Sequence, residues 1–223
     1  MRYARTVEAV FLDRPNRFIA HVKLDGAKET VHVKNTGRMR ELLAFGRRVI
    51  LSVSDNPARR TKYDLIAVEK PGLGLVNIDS QAPNHVVREW LKSQSPERLK
   101  PEYVFRDSRL DFYAEKGGRR ILMEVKGCTL EVDGIGYFPD APTVRGAKHL
   151  RELAAAVSDG FACYAVFVIQ MPGIREVLPN AVTDPAFAEA WQKALDAGVQ
   201  IVFLPCAVTE DTLSVGEGVP RIL

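Results

Sequence analysis

The sequence predicts an α+β protein of two domains, a small five-stranded β barrel followed by an α/β sandwich. Three observations carry this prediction. Short alternating runs fill the first third of the 223 residues, helices alternate with apolar strands in the remainder, and a Gly-Gly turn joins two strands in the middle. The apolar fraction of 46% is typical of a soluble globular protein. We expect one domain over residues 1–80 and a second over residues 81–223.

Five strand-like runs separated by turn residues make up the first part. They are residues 6–12, 18–24, 29–34, 48–54 and 62–68. Between the third and fourth runs, Thr36 can cap a short helix that carries Met39, Leu42 and Leu43 and ends at Gly46. Five strands with a helix in this place are the plan of an OB barrel, a fold that commonly binds oligonucleotides.

The second part alternates helices with buried strands. Residues 71–74, Pro-Gly-Leu-Gly, predict the crossover into it. Apolar residues at helical spacing predict helices, and continuous apolar runs are typical of strands buried on both faces. The expected helices are residues 84–93, 143–157 and 185–197, the expected strands are 161–170 and 199–204, and the turn-rich residues 134–142 are expected to form a loop. This order indicates an α/β sandwich.

The most informative pattern is Asp-x12-Glu-x-Lys, formed by Asp111, Glu124 and Lys126. Gly117-Gly118 lies between them and is a hairpin signal, because both glycines can adopt positive φ. With a two-residue loop, Asp111 faces Glu124 with Cβ atoms about 5 Å apart, and Lys126 projects from the same face. Opposed carboxylates repel each other unless a cation lies between them. The pattern therefore predicts a divalent metal with a lysine beside it.

The same hairpin leaves two alternatives open. The opposite face is apolar and is expected to pack in the core, whereas the ionisable groups collect on the face of Asp111. The same register places Arg109 opposite Lys126, so either the register differs there or a neighbouring cation lowers the pKa of Lys126. A solvated strand face that holds three charged residues by chance is the alternative interpretation of the whole pattern.

A catalytic site of this kind would hydrolyse phosphodiesters with Mg²⁺ or Mn²⁺. The metal would polarise the phosphate and activate a water, while Lys126 would orient that water or stabilise the developing charge. Arg145 and Lys148 could contact substrate phosphates, although a solvated helix face is the equally common role for such residues. The candidate metal ligands are Asp111, Glu124 and the backbone carbonyl of Val125, with Glu102 or Glu89 to complete the shell.

The charge distribution suggests a polyanion partner. Residues 1–75 carry fifteen Lys or Arg and eight Asp or Glu, whereas residues 76–223 carry sixteen and twenty. A basic first part favours DNA binding, and an uneven placement of solubilising residues is the alternative. No run approaches the length of a membrane span, so no membrane association is expected. The three cysteines are widely separated, which favours free thiols in a reducing compartment and hence a cytoplasmic protein.

Four segments make the chain recognisable. They are NTGRM at residues 35–39, SRLDF at 108–112, EVKGCTL at 124–130 and FPDAPTVRGAKHL at 138–150. With these segments the chain resembles the sugar fermentation stimulation protein A family over essentially its whole length. The resemblance implies an OB-like domain followed by a domain similar to the PD-(D/E)XK nucleases, in a DNA-binding protein. The nuclease pattern matches Asp111, Glu124 and Lys126, whereas Arg106 and Lys34 replace a glycine and a proline that the family tends to have.

These observations predict a DNA-binding protein with a magnesium-dependent phosphodiesterase site. The candidate DNA contacts are Arg38, Arg109, Arg145 and Lys148. The alternative is a non-catalytic DNA-binding regulator of sugar metabolism genes, built on a nuclease-like scaffold. A carbohydrate-processing enzyme with paired carboxylates is a third interpretation, but two tryptophans do not supply an aromatic cleft for sugars. A cut through both DNA strands would favour a homodimer, although the sequence indicates no interface.

Overall fold

A closed barrel of five strands forms the first part of the protein, whose computed structural model describes residues 1–223. The strands are β1 (Thr6–Asp13), β2 (Ile19–Leu24), β3 (Ala27–Val33), β4 (Arg48–Val53) and β5 (Tyr63–Lys70). They lie in the order β3-β2-β1-β4-β5, and a parallel pairing of His32 with Asp64 and of Val33 with Leu65 closes the barrel. The predicted OB-like barrel is confirmed.

The segment between β3 and β4 packs into the barrel core but forms no α-helix, so the predicted helix there is wrong. The segment consists of turns, and Met39 has a φ of +44°, which a right-handed helix cannot contain. Met39 and Leu42 are nevertheless fully buried within the barrel's apolar cluster. The spacing of apolar residues therefore identified the buried side chains of this segment. Its backbone conformation depends on how these side chains pack into the barrel core.

A sixth strand, β6 (Gly74–Asn77), extends the barrel sheet beyond β5. Lys70 pairs with Gly74, so residues 71–73 form a tight turn between antiparallel strands. The predicted crossover at Pro71 is therefore wrong, because the chain turns back on itself there. It leaves the barrel sheet only after Asn77 and enters the first helix, α1 (Ala82–Lys92).

The second part is built on a six-stranded mixed sheet. Its strands are β7 (Arg98–Phe105), β8 (Ser108–Lys116), β9 (Arg119–Cys128), β12 (Ala162–Ile169), β14 (Gln200–Val208) and β15 (Leu213–Val215). They lie in the order β15-β14-β12-β9-β8-β7, and β9, β12 and β14 run parallel. A small separate sheet contains β10 (Leu130–Val132), β11 (Ile135–Phe138) and β13 (Val177–Pro179). The strand β11 falls within the predicted loop at 134–142.

Helices cover both faces of the large sheet. The remaining helices are α2 (Val144–Ser158) and α3 (Pro185–Asp196), which begin after the side-chain caps Thr143 and Asp184. On one face, α1 packs with Phe112 and Met123, and on the other α2 and α3 pack in the cluster that contains Tyr113. The predicted α/β sandwich is confirmed. None of the three helices is both long and apolar enough to cross a membrane.

Because helices cover both faces of the sheet, the hairpin of β8 and β9 differs from the prediction. Tyr113 and Leu122 lie on the face expected to be ionisable, yet both are buried in the cluster that includes α2. The contrast between an apolar face and a charged face is therefore wrong for most of the hairpin. Charged side chains are buried only near Asp111 and Glu124, at the end remote from the turn.

The barrel and the sandwich share one core. A single apolar cluster contains Ala9 and Val76 from the barrel together with Leu150 and Phe167 from the sandwich. A buried polar network crosses the same contact. Gln170 Nε2 donates to Asn77 Oδ1 at 2.8 Å and to the Asp79 carbonyl at 3.2 Å, while Asn77 Nδ2 donates to the Tyr3 hydroxyl at 3.0 Å. The sheet of the sandwich is thereby anchored to the end of the barrel sheet.

Candidate metal centre and nucleic-acid cleft

The hairpin of β8 and β9 has the predicted register up to the candidate site. Pairing runs from Lys116–Arg119 to Phe112–Met123, and Gly117 and Gly118 have φ of +58° and +75°. Regular pairing ends there, one position before Asp111 and Glu124. The two carboxylates are therefore not a ladder pair as predicted, and Arg109 does not lie opposite Lys126 in the ladder.

At this point the Asp111 carboxylate takes the place of a backbone acceptor in the hydrogen bonding between β8 and β9. Its Oδ2 accepts a hydrogen bond from the Val125 backbone N–H at 2.7 Å, a group that would donate to a β8 carbonyl in a regular antiparallel pair. Its Oδ1 accepts from Asn84 Nδ2 of α1 at 2.9 Å. Burial and the charge of Glu124 raise the pKa of Asp111, against the effect of these hydrogen bonds. The two carboxylates are thus neighbours that repel each other.

Glu124 is the most enclosed acid of the site, with 3% of the residue exposed. Its Oε1 accepts from Lys126 Nζ at 2.5 Å and from His149 Nδ1. Burial alone would raise the pKa of Glu124, but the hydrogen bond from His149 and the charge of Lys126 outweigh it and lower the pKa. Its Oε2 is buried and has no hydrogen-bond partner. A buried, charged oxygen without a partner is unfavourable unless a cation or donor approaches it.

His149 is a site residue that the sequence did not predict. It lies on α2 and is buried, and Arg145 Nε donates to its Nε2 at 3.4 Å. With Nε2 accepting, Nδ1 carries the hydrogen that Glu124 receives. The helical spacing of His149 with Leu153 and Ala156, both buried, could have placed it on the inner face of α2. Nothing in the sequence indicates that its ring would meet Glu124.

Close packing fixes the backbone next to Lys126. A Cβ added to Gly127 would lie 2.2 Å from Gln170 Oε1 and 2.9 Å from Pro83 Cγ. A larger residue at this position would require Gln170 and Pro83 to move, because β9 lies against both α1 and the end of β12. The strand that carries Glu124 and Lys126 is thereby held from both sides.

The donor set fits a hard divalent cation. Asp111 and Glu124 offer carboxylate oxygens, and Glu124 Oε2 has no competing partner. No group of three His, Cys, Asp or Glu side chains surrounds a common point, so protein side chains alone do not complete a metal shell. Glu89 is exposed and pairs with the N-terminal ammonium group at 2.7 Å, and Glu102 pairs with Arg109 at 2.6 Å. Neither joins the two carboxylates, whereas Asn84, on the same helix as Glu89, does contact Asp111.

A basic cleft of about 670 Å³ borders the site on the side of His149. Its charged lining residues include Arg109, Arg145 and Lys148, all three exposed. Lys148 Nζ also donates to the Asp107 carbonyl at 3.3 Å, which ties the start of α2 to the β7–β8 turn. Three of the four predicted DNA contacts therefore line one cleft. The fourth, Arg38, lies on the barrel in a different pocket.

Comparison with known proteins identifies both parts of the chain. The family model described as SfsA N-terminal OB domain matches residues 12–78, and that described as sugar fermentation stimulation protein RE domain matches residues 81–212. The chain belongs to the sugar fermentation stimulation protein family. The predicted family is confirmed.

Relatives in this family are similar over their full length. The sugar fermentation stimulation protein homologs of Desulfitobacterium hafniense and Clostridium beijerinckii are 52% and 44% identical. The alignments cover 97% of this chain and 96% of the first relative, and 100% of both chains for the second. A solved structure described as Pyrococcus furiosus SfsA in complex with Ca²⁺ is 28% identical, with a TM-score of 0.84 and 96% of each chain covered.

The side chains of Arg106 and Lys34 both form ion pairs within the protein. Arg106 occupies the β7–β8 turn with a φ of +50°, a conformation that favours glycine, and pairs with Asp159 at 2.6 Å. Lys34 Nζ lies 3.6 Å from Asp64 and 3.4 Å from Asp79. Neither side chain contacts the candidate metal centre.

Proposed function

We propose that this protein binds DNA and hydrolyses phosphodiester bonds with Mg²⁺ or Mn²⁺ held by Asp111 and Glu124. The observation that carries the proposal is the buried Glu124 Oε2, which has no hydrogen-bond partner and belongs to a charged carboxylate beside a second acid. The Pyrococcus furiosus relative is described as a complex with Ca²⁺, which, like Mg²⁺, prefers oxygen ligands. The RE and OB family models support a nuclease-like scaffold with a nucleic-acid-binding barrel.

Each residue of the site has a distinct task in this proposal. Asp111, Glu124 and the Val125 carbonyl would hold the cation, leaving room for water and substrate. A bound cation would supply charge for the scissile phosphate and lower the pKa of a bound water. Lys126, whose ammonium already lies at Glu124, would stabilise negative charge that develops on the phosphate.

The surrounding cleft would bind and orient the DNA backbone. Arg145 and Lys148 present positive charge at the N-terminal end of α2, beside the buried His149. Arginine offers two parallel donors that match a phosphate, whereas lysine contributes a compact charge. His149 is buried and hydrogen-bonds to Glu124, so its task would be to orient the carboxylate that holds the cation.

One observation favours the alternative of a DNA-binding protein that does not cleave. No third acidic side chain or histidine completes a metal shell around the two carboxylates. Under this alternative the basic surfaces bind DNA and the carboxylate pair is retained only as part of the scaffold. Burial and the repulsion between the carboxylates, which together outweigh the hydrogen bonds to Asp111 and raise its pKa, are then only partly compensated, which makes this alternative the weaker one.

Cleavage assays separate the two functions. Labelled single- and double-stranded DNA and RNA would be incubated with the purified protein and Mg²⁺, Mn²⁺ or EDTA. Asp111→Asn, Glu124→Gln and Lys126→Ala proteins would be compared with Glu89→Gln, whose target lies outside the site. We expect metal-dependent cleavage that is lost in the first three proteins and kept in the fourth. No cleavage by the wild type, or cleavage that persists without both carboxylates, would reject the nuclease proposal.

A further inference from the structure

A second basic pocket, of about 490 Å³, lies on the barrel. Twelve residues between Phe11 and Phe45 line it, all of them from the barrel strands or their connections. The pocket opens between the β1–β2 turn and the turn-rich segment that follows β3. It shares no lining residue with the cleft beside His149.

The charges in this pocket are unbalanced. Arg17, Arg38 and Arg40 are exposed, and none of their guanidinium groups forms an ion pair or a hydrogen bond within the protein. Asp13 is the one acid in the lining, and it already pairs with His21 at 2.6 Å and lies 3.9 Å from Lys28. Three guanidinium groups without a carboxylate partner, beside an acid that already contacts His21 and Lys28, form a site for an anion.

Arg14 differs from these three arginines because it holds the pocket together. Its terminal nitrogens donate to the carbonyls of Gly37, Asn35 and Arg17 at 2.7 Å each. These hydrogen bonds join the β1–β2 turn to the segment after β3. The pocket is thus held in place by the fold, although both of its walls are turns.

Two aromatic rings are exposed at this surface. Phe45 lines the pocket and is 80% exposed, and Phe18, adjacent to Arg17, is 51% exposed. The Arg17 guanidinium lies 5.6 Å from the centre of the Phe18 ring. Exposed aromatic rings among free arginines are the combination that binds single-stranded nucleic acid, with bases stacked on the rings and phosphates on the cations. Bases inside a duplex are already stacked and cannot reach such rings.

We propose that this barrel pocket binds single-stranded nucleic acid, with a base stacked on Phe45 and phosphates bound by Arg17, Arg38 and Arg40. The binding claim stands on the barrel residues alone. It deepens the proposed function by naming the substrate class, a nucleic acid with a single-stranded segment. Only the cleavage of such a substrate rests on the proposed function.

The pocket adjoins the chain segment that leads to the cleft. Gly37, in the pocket wall, packs so closely on Asp140 that an added Cβ would lie 2.4 Å from the Asp140 carboxylate. Asp140 is in the connection between β11 and α2, and α2 carries Arg145 and Lys148 of the cleft. A single strand bound at Phe45 could therefore continue over this connection toward Asp111 and Glu124.

Fluorescence anisotropy of the full-length protein tests the proposal. The probes are a labelled oligothymidylate of about 15 nucleotides and a duplex of equal length, both in EDTA so that nothing is cleaved. Phe45→Ala removes the ring, and Phe45→Leu keeps an apolar side chain without it. Val182→Ala is the matched control, because Val182 is 97% exposed and lies in the sandwich.

We expect both Phe45 variants to bind the single strand about tenfold more weakly and the duplex almost unchanged. An Arg38→Ala, Arg40→Ala protein should bind the single strand more weakly. For this protein, the slope of log affinity against log salt concentration should also be less steep by about 1.4. Each phosphate that an arginine no longer neutralises accounts for about 0.7 of this change. Equal weakening for single strand and duplex, or an effect in Val182→Ala as large as in Phe45→Ala, would overturn the proposal. The assay does not depend on cleavage, so its result is independent of the nuclease test.

Discussion

His149 donates a hydrogen bond from Nδ1 to Glu124 Oε1 and thereby joins helix α2 to strand β9 at the candidate metal centre. Because this bond occupies Oε1, the unpartnered Oε2 keeps a fixed direction. The carboxylate is oriented by a neighbour that does not itself need to contact the cation.

Replacing His149 should therefore weaken cation binding. In His149→Ala we expect the affinity for Mn²⁺, measured by isothermal titration calorimetry, to fall by about tenfold or more, because Glu124 can rotate. In His149→Asn the amide nitrogen takes nearly the place of Nδ1, so most of the affinity should return. If both variants bind Mn²⁺ equally weakly, the hydrogen bond is not what orients Glu124.

Asp111 and Glu124 should respond in opposite ways to the loss of charge. Without divalent cations at neutral pH, Asp111→Asn removes a repelled carboxylate and should raise the free energy of unfolding by up to about 1 kcal/mol. Glu124→Gln removes the negative charge from the group that accepts from Lys126 Nζ and His149 Nδ1, and should lower it by about 2 kcal/mol. Urea denaturation in EDTA measures both changes, with the exposed Glu176→Gln as control. Changes of the same sign in both variants would contradict the assigned electrostatics.

Added Mg²⁺ extends the same comparison. A cation that binds only the folded state raises the melting temperature by mass action. We expect Mg²⁺ to raise the melting temperature of the wild type and to have little effect on either variant. An equal rise in all three proteins would place the cation elsewhere.

Asp64 should make stability depend on pH at the acid end. Burial alone would raise the pKa of Asp64, but hydrogen bonds from Arg59 and His32 and the charge of Lys34 outweigh it and lower the pKa. An acid with a lowered folded-state pKa stabilises the protein above its unfolded-state pKa, about 3.9, and this stabilisation is lost as the pH falls through the folded-state value.

The corresponding variant is Asp64→Asn. At pH 7 it should lower the free energy of unfolding by about 2 kcal/mol, because hydrogen bonds to a charged group are removed. This difference should shrink as the pH falls below about 4. Asp25→Asn, in an exposed turn, is the control and should change little at either pH. A deficit in Asp64→Asn that stays constant into acid would show that its charge is not responsible.

Gly127→Ala should strain the strand that carries Lys126. The added methyl group would overlap Gln170 Oε1 and Pro83 Cγ, so we expect a decrease of about 1 to 3 kcal/mol in the free energy of unfolding. In a Gln170→Ala background, part of the overlap is gone and the same change should be less costly. Strictly additive effects in this double-mutant cycle would mean that Gln170 is not the group that excludes a side chain at Gly127.

Local signals predicted the framework of the site, while its decisive contacts are distant in sequence. Gly117-Gly118 was enough to fix the hairpin register, because a two-residue turn leaves no other alignment. The contacts of Asp111 with Asn84 and of Glu124 with His149 join residues more than twenty positions apart. They depend on how α1 and α2 lie against the sheet, which periodicity within either helix does not specify.

Missed strands have a similar explanation. The strand β7 is an edge strand with Pro101 and mostly exposed side chains, so it shows little of the apolar alternation that identifies a strand. The strand β11 is four residues long and lies among turn formers. Both are held by neighbouring strands rather than by their own sequence preferences.

The polar network of Gln170, Asn77, Asp79 and Tyr3 also bears on how this chain can be divided. A cut near residue 80 would separate Gln170 from Asn77 and split the apolar cluster common to barrel and sandwich. Each fragment would then present buried amides and aliphatic side chains to water. The intact chain should accordingly lose its structure in one cooperative transition, and grafting this barrel onto an unrelated enzyme should yield an unstable chimera.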